Sequence, residues 1–381
     1  MERKLMQWVE IDRSALVQNL GHFRRLAGKR RKLLAVVKAN AYGHGLVEVS
    51  KVALHAGVDW LGVHSLEEGL CLRQNGIHSP VLVAGYIPLD GLEDAVTHDL
   101  RCTVYNTETL VRLARISQRL RKKAYVHIKV ETGTHRQGIR EEDLLPFINK
   151  IRECSHLIIE GISSHFANIE DTTDHSYARQ QLANFHRMLR SLEDNNMKIP
   201  LRHMSCSASA ILFPETYFDM VRIGIGMYGL WPSKETYLSS LLQRHQPFLL
   251  KPVLTWKARI AQIKKVPKGS YIGYGCTYRT NRDTLLAVVP VGYSDGYRRS
   301  LSNSSYVLVK NSRAELRGRV AMNFIMVDVT DIPGVRLEEE VVLLGKGGEE
   351  IISADYLASL VGTINYEIVA GINPLVPRIL V

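Results

Sequence analysis

The chain has 381 residues, 45 % of them hydrophobic, and a net charge of +11. That length predicts two domains, and that composition excludes a disordered chain. No apolar run is long enough to span a membrane, the start MERKLMQWVEIDRSAL carries no signal-like apolar stretch, and five scattered cysteines without a C-x-x-C pair fit a reduced, cytoplasmic protein.

Strand-length apolar runs recur through the first 230 residues. They are LLAVVK (33–38), WLGV (60–63), PVLVAG (80–85), CTVYN (102–106), AYVHIKVE (124–131), IIEGISSHF (158–166), LRHMSCS (201–207) and MVRIGIG (220–226). Stretches of helical period separate most of them, as in TETLVRLARISQRLRKK (107–123) and YARQQLANFHRMLRSLEDNN (177–196). Eight strands alternating with helices predict a (β/α)8 barrel. The competing open doubly wound sheet lacks a GxGxxG after its first strand. The basic clusters KRRK (29–32) and RLRKK (119–123) hold no interleaved aromatics and read as solvated loops, so no nucleic-acid partner is expected.

Residues 231–251 are polar and irregular and read as a crossover. From about 252 the runs become short, β-branched and punctuated by turns, and helical period is nearly absent until SADYLASLVG (353–362). This half predicts a mainly antiparallel β domain. The expected division is a barrel over 1–240 and a β domain over 241–381, with an N-terminal extension that could pack on the latter.

A barrel carries its site at the C-terminal ends of its strands. Polar groups sit there on five apolar strands: Lys38; Lys129 followed by Glu131 and Arg136; His165; Ser207; and Arg222 with Gly224. Each alone has an ordinary explanation: a lysine reaching solvent, a core histidine, a helix cap. Together on one rim they predict a site. No metal-ligand spacing, G-x-S-x-G or paired carboxylate appears. A lysine in an apolar strand suits Schiff-base chemistry, because burial favours its free amine. Serine and backbone N–H groups after the last strands suit a phosphate. A phosphorylated aldehyde held by lysine is pyridoxal phosphate or an aldolase's sugar phosphate, and the appended β domain favours the former.

At this point the sequence resembles the alanine racemase family over nearly its whole length. The motifs are AVVKANAYGHG (35–45), VHIKVETGTHRQG (126–138), SHFANIED (164–171), RHMSCSA (202–208), DMVRIGIGMYG (219–229), YIGYGCTYR (271–279), VPVGYSDGYRR (289–299), GRVAMNFIMVDVT (318–330) and INYEIVAGINPLVPR (364–378). The first is shared with other barrel-type pyridoxal phosphate proteins; the order and spacing of all nine is specific.

The resemblance implies that Lys38 holds the cofactor in a Schiff base and acts as one base. Tyr274, supplied by the other subunit of a head-to-tail homodimer, is the second. Arg222 faces the pyridine nitrogen, and an arginine cannot accept that nitrogen's proton. His165 and His203 form a hydrogen-bonded chain through Arg222 towards the tyrosine, which could tune a phenol whose usual pKa is about 10. Phosphate contacts fall on Tyr42, Ser207, Gly224, Ile225 and Tyr366. Arg136 lies near the cofactor's phenolic oxygen and the substrate carboxylate, which the Met322 backbone also binds. Tyr293 lines the entrance. Lys129 is carbamylated in many members and would then brace Arg136; pairing with Glu131 is the alternative. The implied reaction is interconversion of L- and D-alanine for peptidoglycan.

Three departures bear on this. Cys206-Ser207 replaces the usual Asn-Ser, ETGTHRQG (131–138) replaces D-T-G-M-x-R-L-G, and Ala321-Met322-Asn323 replaces C-M-D. Glu131, Thr134, His135 and Asn323 therefore leave a serine or broad-specificity racemase open. A barrel-type decarboxylase would need a glycine-rich phosphate loop and a catalytic cysteine in the β domain, and neither is found. A non-catalytic pyridoxal phosphate carrier would be a barrel alone.

Overall fold

In the computed structural model, which describes residues 4–243 and 248–381, eight parallel strands build a barrel. A strand near the N-terminus, β1 (Gln7–Ile11), precedes them. The barrel strands are β2 (Lys32–Val36), β3 (Trp60–Val63), β4 (Val81–Val83), β5 (Arg101–Val104), β6 (Ala124–Lys129), β7 (Leu157–Ser163), β8 (Leu201–His203) and β9 (Met220–Ile223). Their order is β8-β7-β6-β5-β4-β3-β2-β9. The ring is nearly closed between β8 and β9. There Asp219 N donates to Arg202 O at 3.0 Å, and the Arg202 guanidinium meets the Asp219 carboxylate at 2.7 Å.

The amino-acid pattern explains the layers. Leu34, Trp60, Leu82 and Met220, from β2, β3, β4 and β9, form one buried cluster, with Val36 and Leu201 packed against it; each such burial is worth roughly 1.5–3 kcal/mol. Outside, helix Thr107–Leu120 starts where the Asn106 side chain accepts from Thr109 N at 2.8 Å. It turns Leu110, Leu113 and Ile116 inward at helical spacing.

The strand runs of the sequence are reproduced with shorter ends. β2 stops at Val36, so Lys38 opens the following turn rather than closing the strand. The supposedly irregular segment 231–251 contains a helix, Lys234–Gln243; residues 244–247 of it lie outside the described residues.

The second unit is mostly antiparallel β structure. Its strands are β10 (Leu254–Arg259), β11 (Gln262–Val266), β12 (Tyr271–Ile272), β13 (Tyr278–Arg279), β14 (Thr284–Val289), β15 (Tyr306–Val309), β16 (Ser312–Glu315), β17 (Ile325–Asp328), β18 (Glu340–Gly347), β19 (Glu350–Ile352) and β20 (Arg378–Leu380). The largest sheet runs β16-β15-β18-β10-β1-β20, with β19 on β18; β11-β14-β17 and β12-β13 form two smaller sheets. β1 therefore lies between β10 and β20, with Val9 and Ile11 buried on one face and Trp8 buried on the other. Helix Asn365–Ala370, inside the motif INYEIVAGINPLVPR, also belongs here.

The chain divides unevenly between these bodies. Residues 14–41 and 46–251 form the barrel unit. The segment before it, Tyr42–Gly45 and Pro252–Val381 form the β unit.

Candidate active site

Lys38 sits where the backbone does something L-residues resist. Ala39, Asn40, Ala41 and Tyr42 all lie at φ 52–53°, a left-handed turn. Such residues cost about 1–2 kcal/mol each, so the turn needs external hold. In the barrel unit, Glu68 accepts from Ala39 N at 2.6 Å, and Asn40 Oδ1 accepts from Leu46 N at 2.9 Å. The second oxygen of Glu68 accepts from His64 N and Ser65 N, closing a capping box on helix Leu66–Gln74. In the β unit, Gly43 O accepts both 2.9 and 3.1 Å bonds from the Arg378 guanidinium. A Cβ on Gly43 would stand 1.9 Å from Val369 O, so only glycine fits. Sequence reading passed over Glu68; its signal is the Ser65-x-x-Glu68 box, which looks like an ordinary helix start.

Around Lys38 the barrel gathers cations. Burial, then Arg136, lowers the Lys38 pKa from its usual value, with Glu68 opposing. Burial, then Arg222 and Arg136, holds Lys129 well below the ordinary lysine range. Glu131 opposes that shift, while one of its carboxylate oxygens accepts from Gly133 N at 2.5 Å and Thr134 N at 2.6 Å.

Arg222 is the hub. Its NH1 donates to His203 Nδ1 at 2.8 Å and His203 O at 3.2 Å. Its NH2 donates to Ser164 O at 2.9 Å, Met204 O at 2.8 Å and His165 Nδ1 at 3.3 Å. Burial brings the guanidinium down to about 10, which leaves it charged at neutral pH. Because guanidinium only donates, His203 Nδ1 must accept, and its proton sits on Nε2. That proton points to His127 Nδ1 at 2.8 Å; His127 in turn directs Nε2 at Glu160, 3.4 Å away. Arg101 meets Glu160 at 3.2 Å and lies over the Trp60 and Tyr125 rings. Arg222 is thus bonded to both His165 and His203, and from His203 the bonds continue to His127 and Glu160, which the sequence reading missed. His127 stands two residues before Lys129 in β6, on the same face of the strand, and that shared face is the signal that could have found it.

These histidines have a measurable consequence. Burial is the first cause that holds His127, His165 and His203 below 6.5, and Arg222 reinforces it in all three. On acidification the unfolded chain takes up protons from about pH 6.5 downward, and the folded protein does not. Stability is therefore complete above that pH and is lost as pH falls. The melting temperature of the cofactor-free protein should drop between about pH 7 and 5, and His203→Gln should flatten that slope; parallel slopes would remove His203 from the account.

Ser207 begins helix Ser207–Leu212 after β8. Its hydroxyl accepts from Gly224 N at 3.0 Å and Gly226 N at 3.2 Å, so amides flanking Ile225 converge at the end of β9. Such donors suit a phosphate. The neighbouring Cys206 thiol is raised to about 11, chiefly by burial, and stays protonated. In the β unit, the Tyr42 and Tyr366 rings lie 6.1 Å apart. Tyr293 N donates to Ala321 O, and Met322 O accepts from Ser294 N and Oγ. A Cβ on Gly292 would press within 2.2 Å of Met322 O, so glycine permits this closeness. Asn323, one of the departures, donates to Ser294 Oγ at 2.9 Å. Tyr274, on a single turn between β12 and β13, is 74 % exposed.

Known proteins match this arrangement from end to end. Residues 11–232 match the alanine racemase N-terminal domain, and residues 253–380 the C-terminal domain. The alanine racemase of Halothermothrix orenii is 44 % identical over 97 % of this chain and 96 % of its own. That of Methanococcus maripaludis is 40 % identical over 98 % of each. Among solved structures, alanine racemase of Clostridium difficile 630 superposes with a TM-score of 0.94 at 34 % identity, covering 100 % of this chain and 97 % of that one. The Bacillus anthracis alanine racemase with bound L-Ala-P gives 0.92 at 36 %, covering 100 % and 96 %. With both domains matched in order and the rim cations of the barrel in place, the chain belongs to the alanine racemase family.

Proposed function

We propose that the protein is a pyridoxal phosphate-dependent isomerase that interconverts L- and D-alanine, supplying D-alanine for peptidoglycan. The observation that carries this reading is Arg222, a guanidinium bonded to His203 and His165 at the strand ends of a barrel whose relatives are named alanine racemases. The residues fit the cofactor: a lysine amine pushed towards neutrality, amides converging on Ser207, and a hub that donates without accepting. When bound, pyridoxal phosphate supplies an electron sink for the pair left at Cα. Lys38, Arg136, His165, Ser207, Arg222, Gly224 and Ile225 would hold it, and Tyr42 and Tyr366 are the proposed phosphate tyrosines.

Inversion needs a proton removed from one face of Cα and returned to the other, and a single base would return it to the same face. Lys38 Nζ serves one face. Tyr274 Oη of a second subunit serves the other, so the working unit is a homodimer. Its exposure in this chain supports delivery to another copy. Arg136 and the Met322 amide hold the substrate carboxylate, Tyr293 borders the way in, and His203 supports Arg222. Lys129 carries a carbamate: its neutral amine attacks carbon dioxide, a C–N bond forms, and the amine's proton leaves to water. The anion then faces Arg136 and Arg222, where a second cation would be repelled. A carbamate signal from ¹³C-bicarbonate that vanishes in Lys129→Ala tests this. Five free cysteines support a cytoplasmic setting, and among the described residues no helix is long and apolar enough to cross a membrane.

The deciding experiment is interconversion of L- and D-forms of alanine, serine and lysine with added pyridoxal phosphate. A kcat/KM highest for alanine is expected; a higher value for serine would overturn the alanine assignment, and release of carbon dioxide would overturn racemisation.

A further inference from the structure

The loop that carries Arg136 is strained and yet held from outside. Gly133 lies at φ 137°, His135 at 52° and Gly138 at 145°. Backbone in such regions persists where the surroundings over-determine it. Helix Ser176–Asp194 supplies those surroundings. Tyr177 Oη donates to Gly133 O at 2.8 Å, and Asn184 Nδ2 to Thr132 O at 3.0 Å.

Between them Gln181 is fully buried and makes a different set of bonds. Its Oε1 accepts from Ala167 N at 2.8 Å, and its Nε2 donates to His165 O at 3.1 Å. The same nitrogen stands 3.5 Å from both the Thr132 and Thr134 hydroxyls. Thr134 Oγ1 itself donates to His165 O at 2.7 Å. One amide thus grips His165 O and Ala167 N, on either side of Phe166, together with the loop that carries Arg136. The partner hydroxyl belongs to Thr134, one of the departures in ETGTHRQG (131–138).

We propose that Gln181 is a positioning residue for racemisation: with Thr134 it locks the Arg136 loop to the His165 backbone, fixing the carboxylate-gripping guanidinium against the ring beside Arg222. This rests on the function proposed above and names a residue that works one layer behind the site. The amide is suited to this. It offers a donor and an acceptor at once, and a buried apolar replacement would strand Ala167 N without its partner.

The test is kinetic and direct. In the cofactor-loaded enzyme, Gln181→Leu should raise the KM for alanine about tenfold while kcat changes much less. The dissociation constant of propionate, which presents the same carboxylate without the amine, should rise by the same factor in calorimetry. Thr134→Val, which removes only the hydroxyl, should shift both in the same direction. The double variant should be no worse than Gln181→Leu alone, because the two act through one link. A Gln181→Leu enzyme that melts earlier but keeps wild-type KM and propionate affinity has a structural role only and overturns the proposal. Should Gln181→Leu fail to fold, unchanged values in Thr134→Val overturn it equally. A wild-type protein inactive on alanine would fault the function reading instead, and propionate binding would still judge Gln181.

Discussion

Tyr274→Phe is expected to lower alanine racemisation by about 10²–10⁴-fold, the usual worth of a positioned proton donor or acceptor. The ring is 74 % exposed on a short turn, so its hydroxyl can be removed with little effect on folding, within about 0.5 kcal/mol. The same substitution distinguishes where the tyrosine acts. Mixing inactive Tyr274→Phe chains with inactive Lys38→Ala chains, unfolded and refolded together, gives hybrids. If the phenol serves a second subunit, each hybrid dimer has one site with both bases intact, and about a quarter of wild-type activity returns. If lysine and tyrosine of one chain serve the same site, every site stays broken and nothing returns. A silent mixture that contains hybrid dimers would sink the shared-site arrangement.

Lys38→Met should abolish racemisation and the visible absorbance of added pyridoxal phosphate, and it should also stabilise the cofactor-free protein. The second half follows from sign. Burial and Arg136 hold the lysine's folded pKa below its unfolded value. Folding therefore works against its proton at every pH below the usual lysine value, and an uncharged side chain escapes that cost. Thermal melts without cofactor should give a higher midpoint for Lys38→Met than for wild type; a lower midpoint would mean the amine contributes contacts the pKa direction does not capture. Activity and stability would then pull apart at one atom, as expected where a site is built from groups the fold resists.

How much of this was legible in the sequence depends on what kind of information each feature carries. Apolar runs punctuated by turns report local periodicity, and the eight barrel strands came through with ends shifted by a few residues. The rim cations were legible for the same reason: Lys38, Lys129 and Arg222 interrupt runs that should have stayed apolar. β1 was harder, because QWVEI is five residues long and its meaning comes from partners at Leu254–Arg259 and Arg378–Leu380, far along the chain. The left-handed turn after Lys38 was invisible. Of Ala, Asn, Ala and Tyr only Asn enters that region readily, and the turn is held by Glu68, by the Asn40 side chain and by the glycine at 43. Gln181 escaped notice because one polar residue on a helix looks solvent-facing until its neighbours are placed.

The chain's division between its two bodies has a consequence for recombination. The polypeptide changes body after Arg13, after Ala41, after Gly45 and after Lys251. The family domains, by contrast, meet at one junction, between residues 232 and 253. A gene spliced there from two relatives would look modular on paper. It would nonetheless seat one parent's β1 and Tyr42–Gly45 turn in the other parent's β unit, where Val369 and Arg378 must fit Gly43. Chimaeras that respect the fold need three exchanged segments, and the shortest of them is four residues long.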